Sequence, residues 1–344
     1  MRTPSTALPG AAAAGVEALL SRVAPAALAG FTRRLAAFLD DLGGIEPAAP
    51  PGACTALRGV LETAAALTEG SQAATDDDKT HDADHDYSDW HRLTRSLSFN
   101  WADGDAEASG PALPPRAWCA LQVFARSGPD ERIKVAEVGA GVGRLAHDVM
   151  SMRPRGRFWV GDTSLESLVL AALLHGGAAL TLPRRVSFDR SAPGIDWFEC
   201  RAPASEVVAV PEGGAAPVAQ PAQREARPRP LVEYWQDSYP PDRDYDFVIA
   251  CNTVSLFTEP LTAAERLAGA LRPGGHLILT DLYSWRVETP RPRRVLGPDQ
   301  IAEVLRRAGC SIRARQGGIP YSEHWGHERT YCWTSHGLVA RRDR

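Results

Sequence analysis

Apolar residues recur at helical spacing through residues 16–42, at Leu19, Leu20, Val23, Leu28, Phe31, Leu35, Phe38, Leu39 and Leu42. That period predicts helix, and Pro25 predicts a break into two, because proline lacks the N–H that a helix interior needs. After an Ala/Pro run over 46–52, a third helix is expected over 55–67. Residues 1–70 therefore read as a helical N-terminal subdomain, expected to act as a scaffold or as the contact of a homodimer. From 71 to 86 the chain is acidic and polar, with His81, Asp82, Asp84 and His85. No regular element holds those side chains together, so a hydrated linker is expected there and no metal site. Helical periodicity returns over 87–101 in a segment rich in Tyr and Trp, and residues 87–133 read as a cap.

The rhythm changes at Lys134. Short β-branched runs at 135–138, 158–160, 247–250 and 277–280 alternate with Ala/Leu-rich helical stretches. Alternation of this kind predicts an α/β domain over 134–344, with a doubly wound, mostly parallel sheet covered on both faces. An Ala-, Pro-, Gly- and Arg-rich stretch over 201–230 interrupts it and is expected to be an inserted loop.

Composition narrows the partners. The 344 residues carry a net charge of −4, which leaves no basic excess for a phosphate backbone, so a small-molecule substrate is expected and nucleic acid is not. Arg286, Arg291, Arg293 and Arg294 are the one dense basic cluster, and they lie in a Pro-rich stretch that reads as a solvated loop. Six cysteines stand apart with no CxxC pair, which argues against a zinc site or a disulfide framework. Glu17 and Arg22 interrupt the N-terminal apolar stretch, no uncharged run reaches membrane-spanning length, and a cytoplasmic protein is expected.

The chemistry concentrates where the run 135–138 meets Gly139, Gly141 and Gly143 and then a helical stretch. Glycine permits a sharp turn and lets a ligand lie against bare backbone. The GxGxG spacing differs from the GxGxxG of dinucleotide sites. Asp162 ends the second strand, where a carboxylate can accept from two ribose hydroxyls. Residues 232–237 read as a third strand ending in Asp237, suited to an adenine amino group. Residues 245–252 read as the fourth strand, ending at Asn252. Leu271, Arg272, Pro273, Gly274 and Gly275 form the turn before the fifth.

An acid before GxGxG, an acid after the second strand, a YDxVxxxN strand and an LRPGG turn in that order resemble the class I S-adenosylmethionine-dependent methyltransferases. The resemblance runs from about residue 134 to the C-terminus. It implies a Rossmann-like sheet and S-adenosylmethionine as cofactor, held by Glu137, Gly139, Gly141, Gly143, Asp162, Asp237 and Asn252. Glu137 would engage the ammonium of the methionine portion.

Two narrower resemblances bear on the acceptor. Residues 274–285, ending in Tyr283 and Trp285, resemble the GG…PYTW turn of the methyltransferase domain of ovothiol synthases, as does the run 327–335. The turn at 138–146 is similar to the GAGLGRLA turn of carnosine N-methyltransferases. Both families methylate a histidine imidazole, so the resemblance implies imidazole N-methylation of a small thio- or selenohistidine-type acceptor. Both also imply an acid three residues beyond Asn252, where this chain has Ser255. Tyr283, His324 and His327 are the candidate catalytic residues. Ser255, Tyr283, Trp285, Tyr331 and Trp333 are the candidate acceptor contacts, with Tyr87 and Trp90, beside His91, as a lid. Two other readings stay open: O- or C-methylation of a different small molecule, and a non-catalytic cofactor-binding subunit.

Overall fold

The computed structural model describes residues 8, 10–42, 49–50, 52–69, 90, 93–94, 97, 101, 114–185, 195–202, 230–283, 297–325 and 329–343. Three helices lead: α1 (Gly10–Leu20), α2 (Pro25–Asp41) and α3 (Thr55–Glu69). Pro25 occupies the first turn of α2, with Ala24 as its cap residue. The break expected there follows, since a first-turn N–H has no intrahelical partner to lose. In the cap, Trp90, Leu93, Thr94, Leu97 and Trp101 are helical and buried, one stripe of a period near 3.6. Helix α4 (Pro115–Phe124) follows.

The sheet begins with β1 (Lys134–Val138), α5 (Arg144–Met152), β2 (Arg157–Gly161) and α6 (Leu165–His175). A hairpin, β3 (Leu180–Arg185) with β4 (Ile195–Cys200), stands as a separate two-stranded sheet. Then come β5 (Leu231–Trp235), β6 (Tyr245–Cys251), α7 (Pro260–Gly269), β7 (Leu271–Asp281), α8 (Pro298–Arg307), β8 (Cys310–Trp325) and β9 (Arg329–Arg342). The main sheet has the order β5-β2-β1-β6-β7-β9-β8. It is parallel from β5 to β7, with β9 antiparallel to both β7 and β8. The α/β, doubly wound, mostly parallel sheet expected from the alternation is present. The hairpin at 180–200 was not anticipated, and most of the 201–230 insertion lies outside the described residues.

Because side chains alternate along a strand, each sheet face has its own core. Val135, Phe247, Ile249 and Ile278 face one buried cluster, shared with α1–α6 and the cap. Ala136, Val138, Val248 and Leu277 face the other, with α7 and α8. The N-terminal helices belong to the first core. A Cβ on Gly176 would collide with the backbone of Ala12, and Arg34 of α2 bonds Glu166 of α6 at 2.7 and 2.9 Å. Their apolar stripe, on which the dimer expectation rested, is buried within the chain. No described helix is long and apolar enough to cross a membrane.

The chain winds outward through β1, β2 and β5, then returns to the middle and winds the other way through β6 and β7. The reversal lies between β1 and β6. In such sheets the crevice beyond the carboxyl ends at the reversal is where ligands bind.

Candidate active site

β1 runs into a turn in which Gly139, Gly141 and Gly143 have φ of +64°, +53° and +74°. This left-handed region strains any residue that carries a Cβ. The three glycines nevertheless differ in what surrounds them. A Cβ on Gly139 would collide with the side chain of Thr253, just past β6. One on Gly143 would lie 2.7 Å from the Cβ of Ala171 and 3.0 Å from the His175 ring. One on Gly141 would meet nothing within 4 Å. The outer two glycines serve packing, and the middle one borders open space.

Buried side chains fix this turn from behind. His175 Nε2 lies 2.8 Å from the Gly143 carbonyl oxygen, and Nδ1 lies 2.8 Å from the Tyr234 hydroxyl. A carbonyl can only accept, so Nε2 carries the proton and Nδ1 accepts from tyrosine. Burial holds this ring's pKa down at about 4. From the cap, Trp101 donates its indole N–H to the Val142 carbonyl at 3.0 Å, and the Arg144 guanidinium lies over its ring.

Asp162 follows β2 on one side of the turn. Its carboxylate accepts from Gly141 N and from Ser164 N, both at 2.8 Å. These two bonds fix the plane of a half-buried carboxylate beside the open glycine. Ser164 caps α6 by accepting from Ser167 N, which secures the segment that carries Asp162.

Glu137, the penultimate residue of β1, is 5% exposed. Its Oε2 has no hydrogen-bond partner among the described residues. Burial pushes its pKa well above the usual carboxylate range, and Cys251, Asp148 and Asp162 add to the effect. A buried acceptor without a donor is costly, and a cation is the group that would relieve it. Close by, Asp148 pairs with Arg116 at 3.2 Å and Arg144 at 2.8 Å. Burial alone would raise Asp148, yet the His147 ring, 3.7 Å away, and the two guanidinium groups hold it below its ordinary value. Beside Glu137, Thr280 donates to the Cys251 sulfur at 3.3 Å. Hydrogen bonding from Cys119, then from Thr280, lowers the Cys251 pKa.

The other side of the crevice is built on strain. Three described non-glycine residues have positive φ, and two of them, Asn252 (+53°) and Tyr283 (+51°), stand just past the ends of neighbouring strands β6 and β7. Asn252 N donates to the Thr280 carbonyl at 2.7 Å, and its Oδ1 accepts from Ser335 of β9 at 2.8 Å. Tyr283 N donates to Asp281 Oδ1 at 2.8 Å, and Ser255 N to Asp281 Oδ2 at 2.8 Å. Asp281, the last residue of β7, is 1% exposed. The sequence showed no acid near Ser255; the fold brings one from another strand. The signal was available, since Asp281 ends its strand as Asp162 follows its own.

Register shows what overhangs this end. Asp281 pairs with His336, so residues 329–335 of β9 and their β8 partners run on past the carboxyl end of β7. On this arm Tyr321 and Trp333 are cross-strand partners with rings 5.8 Å apart. The Tyr283 ring lies edge-on to His336 at 6.0 Å.

The fold thus brings Glu137, Gly139, Gly141, Gly143, Asp162, Asn252, Ser255 and Tyr283 to the carboxyl ends of β1, β2, β6 and β7. Asp237, two residues beyond β5, is exposed and caps the N–H of Ser238 at 2.6 Å. Trp333 is 37% exposed on the arm. Trp90 is corrected: it is 1% exposed and stacks on Phe38 at 4.9 Å, a core side chain rather than part of a lid. His324 and Tyr331 lie on paired strand backbone of the arm. Tyr87, His91, Trp285, His327, the 71–86 stretch and the arginines at 286–294 lie outside the described residues. Among the described residues no group of three His, Cys, Asp or Glu is arranged to hold a metal.

No family model and no curated protein matches this sequence. Solved structures do. An S-adenosylmethionine-dependent methyltransferase from Aquifex aeolicus is 15% identical over 73% of this chain and 97% of its own, with a TM-score of 0.37. A complex of the Haloferax volcanii Trm112 methyltransferase activator matches at 13% identity over 75% and 96%, TM-score 0.41. The 4+2 cyclase SpnF matches at 17% over 73% and 91%, TM-score 0.41. At these scores the chemistry of this chain rests on its own residues.

Proposed function

We propose that this protein binds S-adenosylmethionine in the crevice beside Gly141 and transfers its methyl group to a small acceptor held beyond β6 and β7. The observation that carries the reading is Gly141. Its φ is positive and its Cβ direction is open; its N–H is held by the oriented carboxylate of Asp162, and Glu137, at the end of the strand that leads into the turn, keeps a carboxyl oxygen without a donor.

Bound S-adenosylmethionine would supply an electrophilic methyl on a sulfonium. Glu137 would take the ammonium of the methionine portion, and Asp162 would accept from the ribose hydroxyls. The open Cβ direction at Gly141 leaves bare backbone for the ligand to lie against. The chain's remaining task is alignment of the acceptor with that methyl, since an in-line displacement gains most from fixed geometry. Asp281 serves it by holding the backbone of Ser255 and Tyr283 through two hydrogen bonds.

For the acceptor, an imidazole nitrogen of a small histidine derivative of thio- or selenohistidine type is the reading favoured by the turn ending in Tyr283. A neutral imidazole nitrogen is available near pH 7 and attacks without prior deprotonation. Ser255, Tyr283 and Trp333, with His324 and Tyr331 on the arm, are the proposed acceptor-side groups.

Calorimetry with S-adenosylhomocysteine tests the cofactor half, and Glu137→Gln sharpens it. The substitution puts a neutral amide of the same shape where burial already disfavours the charged carboxylate, so the ligand-free protein should melt no lower than wild type while affinity falls at least ten-fold. No binding by the wild type would sink the whole reading. For the acceptor half, mass spectrometry of a panel of histidine derivatives incubated with the donor should find one methylated on the ring. Methylation only of oxygen- or carbon-centred acceptors would overturn the imidazole assignment alone.

A further inference from the structure

Residues 271–275, expected as a turn before the strand, instead form the irregular first part of β7 at the opposite end of the sheet, and nothing in the proposed reaction uses them. There a cavity of about 480 Å³ is lined by Arg126, Glu131, Asp246, Phe247, Arg272, Pro273, Gly274, His276 and Arg341. We propose that this cavity is a second ligand site, taking a small phosphate-type oxyanion between Arg126, Arg272 and Arg341.

The geometry begins at Gly274, whose φ is +83°. The point where its Cβ would stand is 3.5 Å from Arg341 Nη2 and 3.8 Å from Arg272 Nη1. Two guanidinium groups, from β9 and β7, thus converge on one bare backbone position. Like charges separate unless something holds them: the Asp246 carboxylate holds Arg272, and neutral acceptors hold Arg341 and Arg126. Arg341 Nε donates to the Gly274 carbonyl at 3.4 Å. Arg126 donates to its own helix neighbour Gln122, at 3.0 Å to the carbonyl and 2.8 Å to the side chain.

The acids at the cavity are already engaged. Asp246 accepts from Arg272 and from Lys134 N, and Glu131 accepts from Gly128 N at 2.9 Å. Arg313, nearby, has Asp343 at 3.9 Å. Arg126 and Arg341 have no carboxylate partner among the described residues. The half-buried His276 ring reports the resulting field. Burial first, then Arg126, Arg341, Arg313 and Arg272, push its pKa down to about 4. His276 is therefore neutral at physiological pH, and of the three arginines only Arg272 has a carboxylate partner among the described residues.

Guanidinium groups match tetrahedral oxyanions through paired N–H donors, and the cavity volume suits a small molecule. A long polyanion fits poorly. Glu131 and Asp246 line the site, and the whole chain is net negative.

The test uses the full chain at pH 7 and low salt, titrated with inorganic phosphate, with ADP and with a short single-stranded RNA, by calorimetry and amide NMR. Expected are saturable binding of phosphate or ADP, a shift of the Gly274 amide, and at least ten-fold weaker binding in the double variant Arg126→Gln/Arg341→Gln. The variant's melting temperature should match wild type, and its S-adenosylhomocysteine affinity should be unchanged, which separates this site from the crevice. Tighter binding of ADP than of phosphate would assign the oxyanion to a nucleotide; comparable binding would assign it to free phosphate. Absence of saturable binding, equal binding by the double variant, or RNA binding tighter than ADP through the same arginines would each overturn the proposal.

Discussion

Two turns at the same end of the sheet solve opposite problems. The turn after β1 is made of glycines, pinned from behind by Thr253, His175 and Trp101, with one face open at Gly141. The turn after β7 puts a tyrosine into the same left-handed region and holds it with the buried carboxylate of Asp281. Where a ligand must touch backbone, the chain removes side chains. Where a side chain must be presented, the chain accepts strain and offsets it with hydrogen bonds. In the proposed reading the first arrangement serves the cofactor and the second the acceptor.

The comparison breaks most sharply at the glycines. Gly139→Ala forces a Cβ into Thr253 at φ +64°, so overpacking and strain together should destabilise by about 3 kcal/mol in a urea melt. Gly141→Ala adds only the left-handed strain, about 1 kcal/mol, yet should weaken S-adenosylhomocysteine binding at least ten-fold. If the two variants lost stability equally, the division between packing and open glycines would be wrong.

Acid tests the backing of the first turn. His175 titrates at about 4 in the folded protein against an ordinary 6.5, so the unfolded chain binds the extra proton first. Its contribution is complete above pH 6.5 and disappears as pH falls toward 4, up to about 3 kcal/mol. Urea melts between pH 7 and 4.5 should show this loss, and His175→Gln should remove the His175 share, leaving that of His276, whose pKa is also held down at about 4.

The second turn is probed by Asp281→Asn, which sets an amide N–H against the N–H of Ser255 or Tyr283. A loss of about 1–2 kcal/mol is expected from the unsatisfied donor. Binding of S-adenosylhomocysteine should stay within two-fold of wild type while turnover of the acceptor collapses. Equal loss at both sites would show that the turns are one structural unit. The smallest effect is expected from Trp333→Ala on the overhanging arm. At 37% exposure its stability change should be within about 0.5 kcal/mol, and only the Michaelis constant for the acceptor should rise.

Much of the first turn was legible before any fold was known. Periodicity gave the helices before and after Pro25, and the strand–glycine–helix run gave Glu137, Gly141 and Asp162, because local backbone needs dictate residue type. The second turn was only half legible. Tyr283 stood out, but Asp281 did not, and Ser255 looked like a missing acid. The β3–β4 hairpin was unseen, and Trp90 read as a lid because an aromatic on a helical stripe looks the same whether it faces a pocket or a core.

The sequence by itself determined elements whose cause lies within a few residues: helix breaks, strand periods and the glycine turn. Only tertiary structure decided that the carboxylate meeting Ser255 comes from the strand beyond it and that Gly139 answers to Thr253. It likewise buried the N-terminal helices in the sheet's own core. Those outcomes depend on strand order and register, which bring together residues far apart in the chain, and spacing along the chain does not encode them one segment at a time.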